Sequence, residues 1–247
     1  MPIFISYLLS NFEKSGYKNN VNMKNKSSNM YEWIDDTANP LGGECIHRCS
    51  YCYVEKLKHA KPVIRKKYSG NPFLSENGMK KICGKDKFIF VCDMTDLFAE
   101  NVPFDFIKKI IDRCNDYPEN KYLFQTKNPF RINGNIMPKN SVICTTIESN
   151  RYYKDIMKNS PPPYKRALGM YCIDLPKYVT IEPVLDFDLN EMVEIMKFIA
   201  PIQCNIGADS GNNNLPAPSK KKILKLISEL EKFTIVKQKK NLNRLLK

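Results

Sequence analysis

GGECIHRCSYCYV (Gly42–Val54) places Cys45, Cys49 and Cys52 within eight residues, and no further cysteine follows until Cys83. Three thiols that close can face one point if the segment forms a tight loop. A closed structural metal site wants four ligands, and a site with an open position signals chemistry instead. The fold and the function of the chain both turn on what the missing fourth ligand is.

Zinc is one reading, with His47 or His59 as the fourth ligand, although the usual second Cys pair is absent. A four-cysteine ferredoxin run of the form C-x2-C-x2-C-x3-C does not match. Chance clustering is the bland reading, and it sits poorly with such density in a loop otherwise rich in Gly, Arg and Tyr. What remains is an iron–sulfur cube gripped by three thiolates, with its fourth iron open. The other cysteines behave differently. Cys92, Cys144 and Cys204 lie inside apolar, strand-like runs and read as small buried hydrophobes. Cys172 and Cys204 are too far apart to hold an auxiliary cluster. Nine cysteines in no even framework, with no secretion signal ahead of them, point to a reducing, cytoplasmic compartment.

Downstream of the loop a rhythm recurs. KFIFVCDMTDLF (Lys87–Phe98), KYLFQTKN (Lys121–Asn128), SVICTTIES (Ser141–Ser149), YVTIEPVLDFD (Tyr178–Asp188) and CNIGADSG (Cys204–Gly211) each open apolar and turn polar, and FTIVKQK (Phe233–Lys239) is a last candidate strand. Short, mostly apolar runs suit strands covered on both faces. Between them lie helical stripes: Phe106, Ile110, Ile111 and Cys114; Met192, Ile195, Met196 and Ile199; and Ile223, Leu224, Ile227 and Leu230, the last opened by Pro218-Ser219. These stripes read as core packing. Pro161–Pro163 reads as a loop. About six strand–helix alternations mean parallel strands joined by right-handed crossovers. An open doubly wound sheet and a barrel both satisfy that pattern. Five strands carry polar residues at their C-terminal ends, where barrel sites are built, so the barrel is the better reading.

No apolar run approaches a membrane span. The first residues lack the basic start and small-residue cleavage site of a signal peptide. Residues 1–30 read as a flexible N-terminal extension, with Lys18–Asn29 as a mobile link and Met23 as an alternative start. The formal charge is +13, and Pro218–Lys247 holds ten Lys/Arg against two Glu. That segment is either an electrostatic footprint for nucleic acid or a solvated face in a Lys- and Asn-rich chain.

The order Cys45, Cys49, Tyr51, Cys52, that is C-x3-C-x-(aromatic)-C, resembles the signature of the radical SAM superfamily. The phrases VCDMTDLFAENVP, FQTKNP, TTIESN, TIEPVLDFD and IGADSG are similar to an uncharacterised phage- and prokaryote-type branch of it. The resemblance covers roughly Asp36–Lys247. It implies an α/β fold, a partial (β/α)6 barrel with parallel strands over residues 31–247, ending in a basic helix and strand segment. It implies a 4Fe-4S cluster on Cys45, Cys49 and Cys52, with S-adenosylmethionine chelating the open iron. An external one-electron donor of flavodoxin or ferredoxin type would drive reductive cleavage, and the resulting radical would take a hydrogen atom from a substrate, with nucleic acid among the candidates. Tyr51 matches the aromatic that lies against the adenine. The family's Gly-Gly-Glu run after the second strand is not matched, because GGE (Gly42–Glu44) precedes the cysteines and reads as a turn. In its place Asp93 and Thr95, with Asp96 as a lesser candidate, are expected at the SAM ammonium. Thr126 or Lys127 is expected at its carboxylate or at a substrate anion, and Thr146, Glu148 and Glu182 at the ribose. His47 and Arg48 either tune the cluster or are solvated, and Tyr53 is expected to pack under the loop. The competing class is a non-catalytic nucleic-acid-binding protein with a structural zinc or iron–sulfur site.

Overall fold

Seven parallel strands follow one another across the main sheet in the order in which they occur in the chain. The computed structural model describes residues 31–247, of which Trp33–Lys247 forms one unit. The expected extension at residues 1–30 lies outside the described residues. The strands of the sheet are β1 (Asp36–Ala38), β4 (Phe88–Val91), β5 (Lys121–Thr126), β6 (Ser141–Thr146), β7 (Lys177–Ile181), β8 (Gln203–Ile206) and β9 (Ile235–Gln238). A two-stranded antiparallel pair, β2 (Leu41–Gly42) with β3 (Phe73–Leu74), stands apart. A doubly wound sheet reverses its order at a switch point; this one does not, and β1 and β9 are left as its two edges. The result is an open, partial barrel.

Six of the seven strands fall in the apolar runs read from the sequence, and β1 does not. Asp-Thr-Ala is too short and too polar to show a pattern; pairing places it, with Asp36 opposite Ile89 and Ala38 opposite Val91. Every residue of β4, β6 and β8 is buried, as covered strands require. The edge strand β9 is mostly exposed.

The helices bury the expected stripes with three local corrections. In helix Phe104–Asn115 the core-facing set is Ile107, Ile110, Ile111 and Cys114, with Ile107 where Phe106 was expected. In helix Leu189–Ile199 Val193 joins Met192, Met196 and Ile199, and Ile195 is half-buried. In helix Lys220–Leu230 Leu226 faces the core and Leu224 is exposed. Both choices make a stripe on paper; the i, i+3, i+4, i+7 set from Ile223 is the one that meets the sheet. Ser219 caps this helix by accepting from the Lys222 amide at 3.4 Å. Pro161–Pro163 is not wholly loop. Pro163 opens the helix Pro163–Tyr171, since proline's fixed φ suits a first helical turn.

The in-phase register brings the strand C-termini to one rim: Val91 opposite Phe124, Thr126 opposite Thr145, Thr146 opposite Thr180, Ile181 opposite Ile206. The expected turn at Gly42–Glu44 pivots on Gly43. Its φ is +98°, and a Cβ there would meet Asn71 O at 2.6 Å. The turn delivers the cysteine loop to the same rim. There Lys56 Nζ donates to Gly211 O, in the loop after β8.

Candidate functional site

The cysteine loop runs from the Gly43 turn to the helix Tyr53–Ala60, whose N-cap is Cys52. It rests on the connection that follows β6. Ser50 N donates to Ile156 O at 2.9 Å, Asn159 N to His47 O at 3.0 Å, and Asn159 Nδ2 to Ile46 O at 3.0 Å. Each thiol has its own surroundings. The His47 and Asp96 amides near Cys45, and the Val54 and Glu55 amides near Cys52 at the helix start, each favour the thiolate form. The Cys49 thiol lies 3.8 Å from Met157 O and 3.9 Å from Ser160 Oγ. Burial, then the charge of Asp96, pushes Cys45 up to about 12. Burial also pushes Cys52 up, against its two amides and the charge of Lys127. Arg48 takes the solvated alternative, its guanidinium on Glu44 at 2.9 Å.

His47 is buried, not solvated. It is 4% exposed, and its Nε2 lies 2.8 Å from Asp96 Oδ2. The same oxygen accepts from the Lys127 amide at 2.8 Å, and Oδ1 accepts from the Phe98 amide at 3.0 Å. Burial opposes ionisation of Asp96, but His47 together with the Lys127 amide and the Thr126 hydroxyl holds its carboxyl below the ordinary range. An ionised carboxylate only accepts, so Nε2 carries the proton of the shared bond. Asp96 thereby ties the cysteine loop to the ends of β4 and β5. Both of its oxygens already have partners within the protein. His47 Nδ1 is buried without a partner.

A second buried group lies across the rim. Glu148 and Arg166 are both 0% exposed and pair at 2.6 Å. The Tyr51 hydroxyl donates to the other Glu148 oxygen. Burial would raise the Glu148 carboxyl, but Arg166, Lys127 and Tyr51 hold it below its usual range. The Lys127 ammonium sits 5.5 Å from the centre of the Tyr51 ring. Burial works against its charge, and the Cys49 and Glu148 charges prevail, so its pKa is raised. The strand-end pattern pointed to Glu148 and Lys127. Arg166 was missed, for nothing in PYKRALGMY marks one arginine of a short surface-like helix as fully buried.

The other expected residues are spread around the same rim. Asp93 is half-buried; its carboxylate accepts from Asn39, and burial raises its pKa. Tyr53 packs beside it, its hydroxyl donating to Asp93 O at 2.8 Å. Thr95 is 8% exposed. Thr126 Oγ1 accepts from the Asn128 amide at 2.8 Å, and Thr146 Oγ1 from Gln125 Nε2 at 3.2 Å. Glu182 is engaged elsewhere: it accepts from Lys239 and, at 2.7 Å, from Asn241, which fastens the C-terminal segment to the end of β7.

The donor set fits a group that takes three thiolates. The thiols of one loop feel one another's charge, backbone amides face two of them, and a half-buried cation stands beside them. Among the described residues no three His, Cys, Asp or Glu side chains already converge as metal ligands. The fit is therefore one of chemistry and placement, not of preset coordinating distances. No helix among the described residues is long and apolar enough to cross a membrane.

The fold is similar to solved structures at low identity. A double mutant of spore photoproduct lyase with bound AdoMet and dinucleoside spore photoproduct matches with a TM-score of 0.60 at 10% identity, covering 87% of this chain and 80% of that one. A further structure of that lyase, complexed with dinucleoside spore photoproduct, gives 0.56 at 11% over 81% and 75%. SuiB of Streptococcus suis bound to S-adenosylmethionine gives 0.52 at 8% over 94% and 59%. At such identities the likeness is one of fold. No curated protein matches the sequence. Residues 28–220, well over half of the chain, match the family described as "Protein of unknown function (DUF5131)", and the chain belongs to that family.

Proposed function

We propose that this chain is a radical SAM enzyme in which Cys45, Cys49 and Cys52 hold a 4Fe-4S cluster. The observation that carries the reading is the placement of three thiols on one loop, at the C-terminal rim of an open parallel barrel, beside the half-buried cation Lys127. The likeness in fold to structures bound to AdoMet supports it. When bound, the cluster and S-adenosylmethionine supply one-electron cleavage of the sulfonium and a 5′-deoxyadenosyl radical that abstracts hydrogen. The chain's own residues bind, orient and exclude water.

Tyr51 offers a ring face for the adenine, kept in orientation by its hydroxyl on Glu148. Asp93 and Thr95 take the ammonium of the SAM amino acid. Lys127 takes its carboxylate or a substrate anion, with Thr126 shaping the turn beneath. Thr146 faces the ribose. Glu148 and Glu182 serve within the protein, because Arg166, Lys239 and Asn241 already occupy their oxygens. The electron comes from an external donor of flavodoxin or ferredoxin type, and the protein works in a reducing, cytoplasmic setting. The substrate is unassigned. The basic Pro218–Lys247 segment keeps nucleic acid among the candidates, and binding of that kind weakens steeply with salt.

The test is anaerobic purification. Iron and sulfide should be present, the reduced protein's EPR signal should change on adding SAM, and 5′-deoxyadenosine should form. Cys49→Ala should lose cluster and product together. A colourless, zinc-bearing protein, or a cluster indifferent to SAM, overturns the proposal.

A further inference from the structure

Arg166 is completely buried and uses nearly all of its donors. Nε donates to Pro161 O at 2.6 Å, NH1 to Thr146 O at 2.9 Å and to Glu148 Oε2 at 2.6 Å, and NH2 to Ser160 Oγ at 3.1 Å. Two of these partners lead to the cysteine loop. Glu148 accepts the Tyr51 hydroxyl through its second oxygen. Ser160 donates to Met157 O at 2.6 Å, and the Cys49 thiol lies against both of these oxygens. One guanidinium is thus a single side chain away from Cys49 on one route and from Tyr51 on the other.

A buried ion pair is weak evidence for stability, since well-packed apolar side chains of similar volume are often as good or better. What such a pair provides is fixed direction: a planar fork allows few arrangements of the groups it binds. The directions fixed here belong to two residues separated only by Ser50, Cys49 and Tyr51, within the three-thiol loop.

We infer that Arg166 is a positioning residue for the cysteine loop, holding Tyr51 through Glu148 and the surroundings of Cys49 through Ser160. This rests on reading the loop as the ligand loop of the proposed enzyme. Arg166 never touches cofactor or substrate. It decides how far the middle of the loop can stray.

The obvious variant, Arg166→Met, strands the Glu148 carboxylate and invites unfolding. Tyr51→Phe and Ser160→Ala are the informative changes, because each removes one hydroxyl and no charge. In the metal-free protein, iodoacetamide labelling read peptide by peptide should modify Cys49 about threefold to tenfold faster in both variants, the factor that one hydrogen bond controls. Labelling of Cys92, Cys144 and Cys204 should not change. In the iron-loaded Ser160→Ala protein, the apparent KM for SAM should rise while kcat is kept, and the EPR response to SAM should broaden. Arg166→Lys, which keeps the charge without the fork, should label Cys49 at a rate between the parent's and theirs. Unchanged Cys49 labelling in both hydroxyl variants overturns the inference, even if the protein proves to be a SAM-cleaving enzyme. A parent protein that binds no cluster sinks the functional reading and leaves the labelling result to judge the strut alone.

Discussion

Replacing Asp96 separates a tethering carboxylate from a ligand-binding one. Three N–H groups converge on it: His47 Nε2 and the Lys127 amide on one oxygen, the Phe98 amide on the other. Hydrogen bonds to a charged group are each worth about 1.5–3 kcal/mol, and orphaned buried donors cost about 1–3 kcal/mol. The three share one acceptor group and do not add fully, so Asp96→Ala should destabilise by about 4 kcal/mol. At roughly 2–4 °C per kcal/mol for a chain of this size, the melting temperature should drop by about 10 °C. Asp96→Asn is the sharper test. It keeps the shape but turns one oxygen into an NH2 group, which must then face the Phe98 amide or the Lys127 amide. Either way two donors meet, and the cost should be about 1–2 kcal/mol, or about 4 °C. Both variants can be melted without iron at neutral pH, so no functional assumption enters. If Asp96→Asn melts within about 1 °C of the parent, the three-donor geometry is wrong and Asp96 is free to serve a ligand.

Three further outcomes follow from other parts of the molecule. Gly78→Ala should destabilise by about 2–3 kcal/mol in urea denaturation, because its Cβ would fall 2.0 Å from the main-chain oxygen of Asn39; Gly134→Ala, with nothing nearby, is the mild control. Acid should weaken the fold between about pH 4 and 2. The hydrogen bond from Arg151, then that from Asn150, lowers Asp188 to about 2, while Lys222 and Arg151 lower Asp186 against its burial. Depressed carboxyls stabilise above their unfolded pKa and lose that contribution as the pH falls through the folded one, so Arg151→Ala should flatten the urea-midpoint slope in this window; an unchanged slope contradicts the assignment. Cys83 should alkylate faster than the buried Cys114, since hydrogen bonding to Tyr117, then the charge of Arg113, lowers its pKa despite some desolvation; Arg113→Ala should slow it, and equal rates on peptide mapping would refute the pairing.

The legible parts of the fold were those whose signal is local. Strands such as Phe88–Val91 and Ser141–Thr146 are buried on both faces, so they are unbroken apolar runs in the sequence as well. Asp36–Ala38 is a strand only because β4 pairs with it, and three residues carry no period. Leu224 and Leu226 exchanged roles because Ile223, Leu224, Leu226 and Ile227 offer two overlapping stripes, and packing selects one. At the site, cysteine spacing and strand-end polarity brought out the right stretches of chain. The partners of those residues were not legible. Glu148 meets Arg166 from a proline-led helix, and Glu182 meets Lys239 and Asn241 from beyond the last strand. A charge in a sequence does not say which opposite charge will neutralise it.

That matching of charges bears on what the rim is built to hold. Two carboxylates near Lys127 are already satisfied, Glu148 by Arg166 and Tyr51, and Asp96 by His47 and two amides. Glu182 is satisfied at the far side by Lys239 and Asn241. Among the described residues Lys127 makes no ion pair of its own; it lies over the Tyr51 ring within the field of Cys49 and Glu148. A desolvated ammonium is costly unless an anion offsets it. Two of the thiols beside it are pushed toward their neutral forms by burial, Cys45 up to about 12 and Cys52 in the same direction. The rim therefore holds a half-buried cation and two unwilling anions. A group that draws the protons off those thiols, and leaves net negative charge where Lys127 can face it, relieves both costs at once.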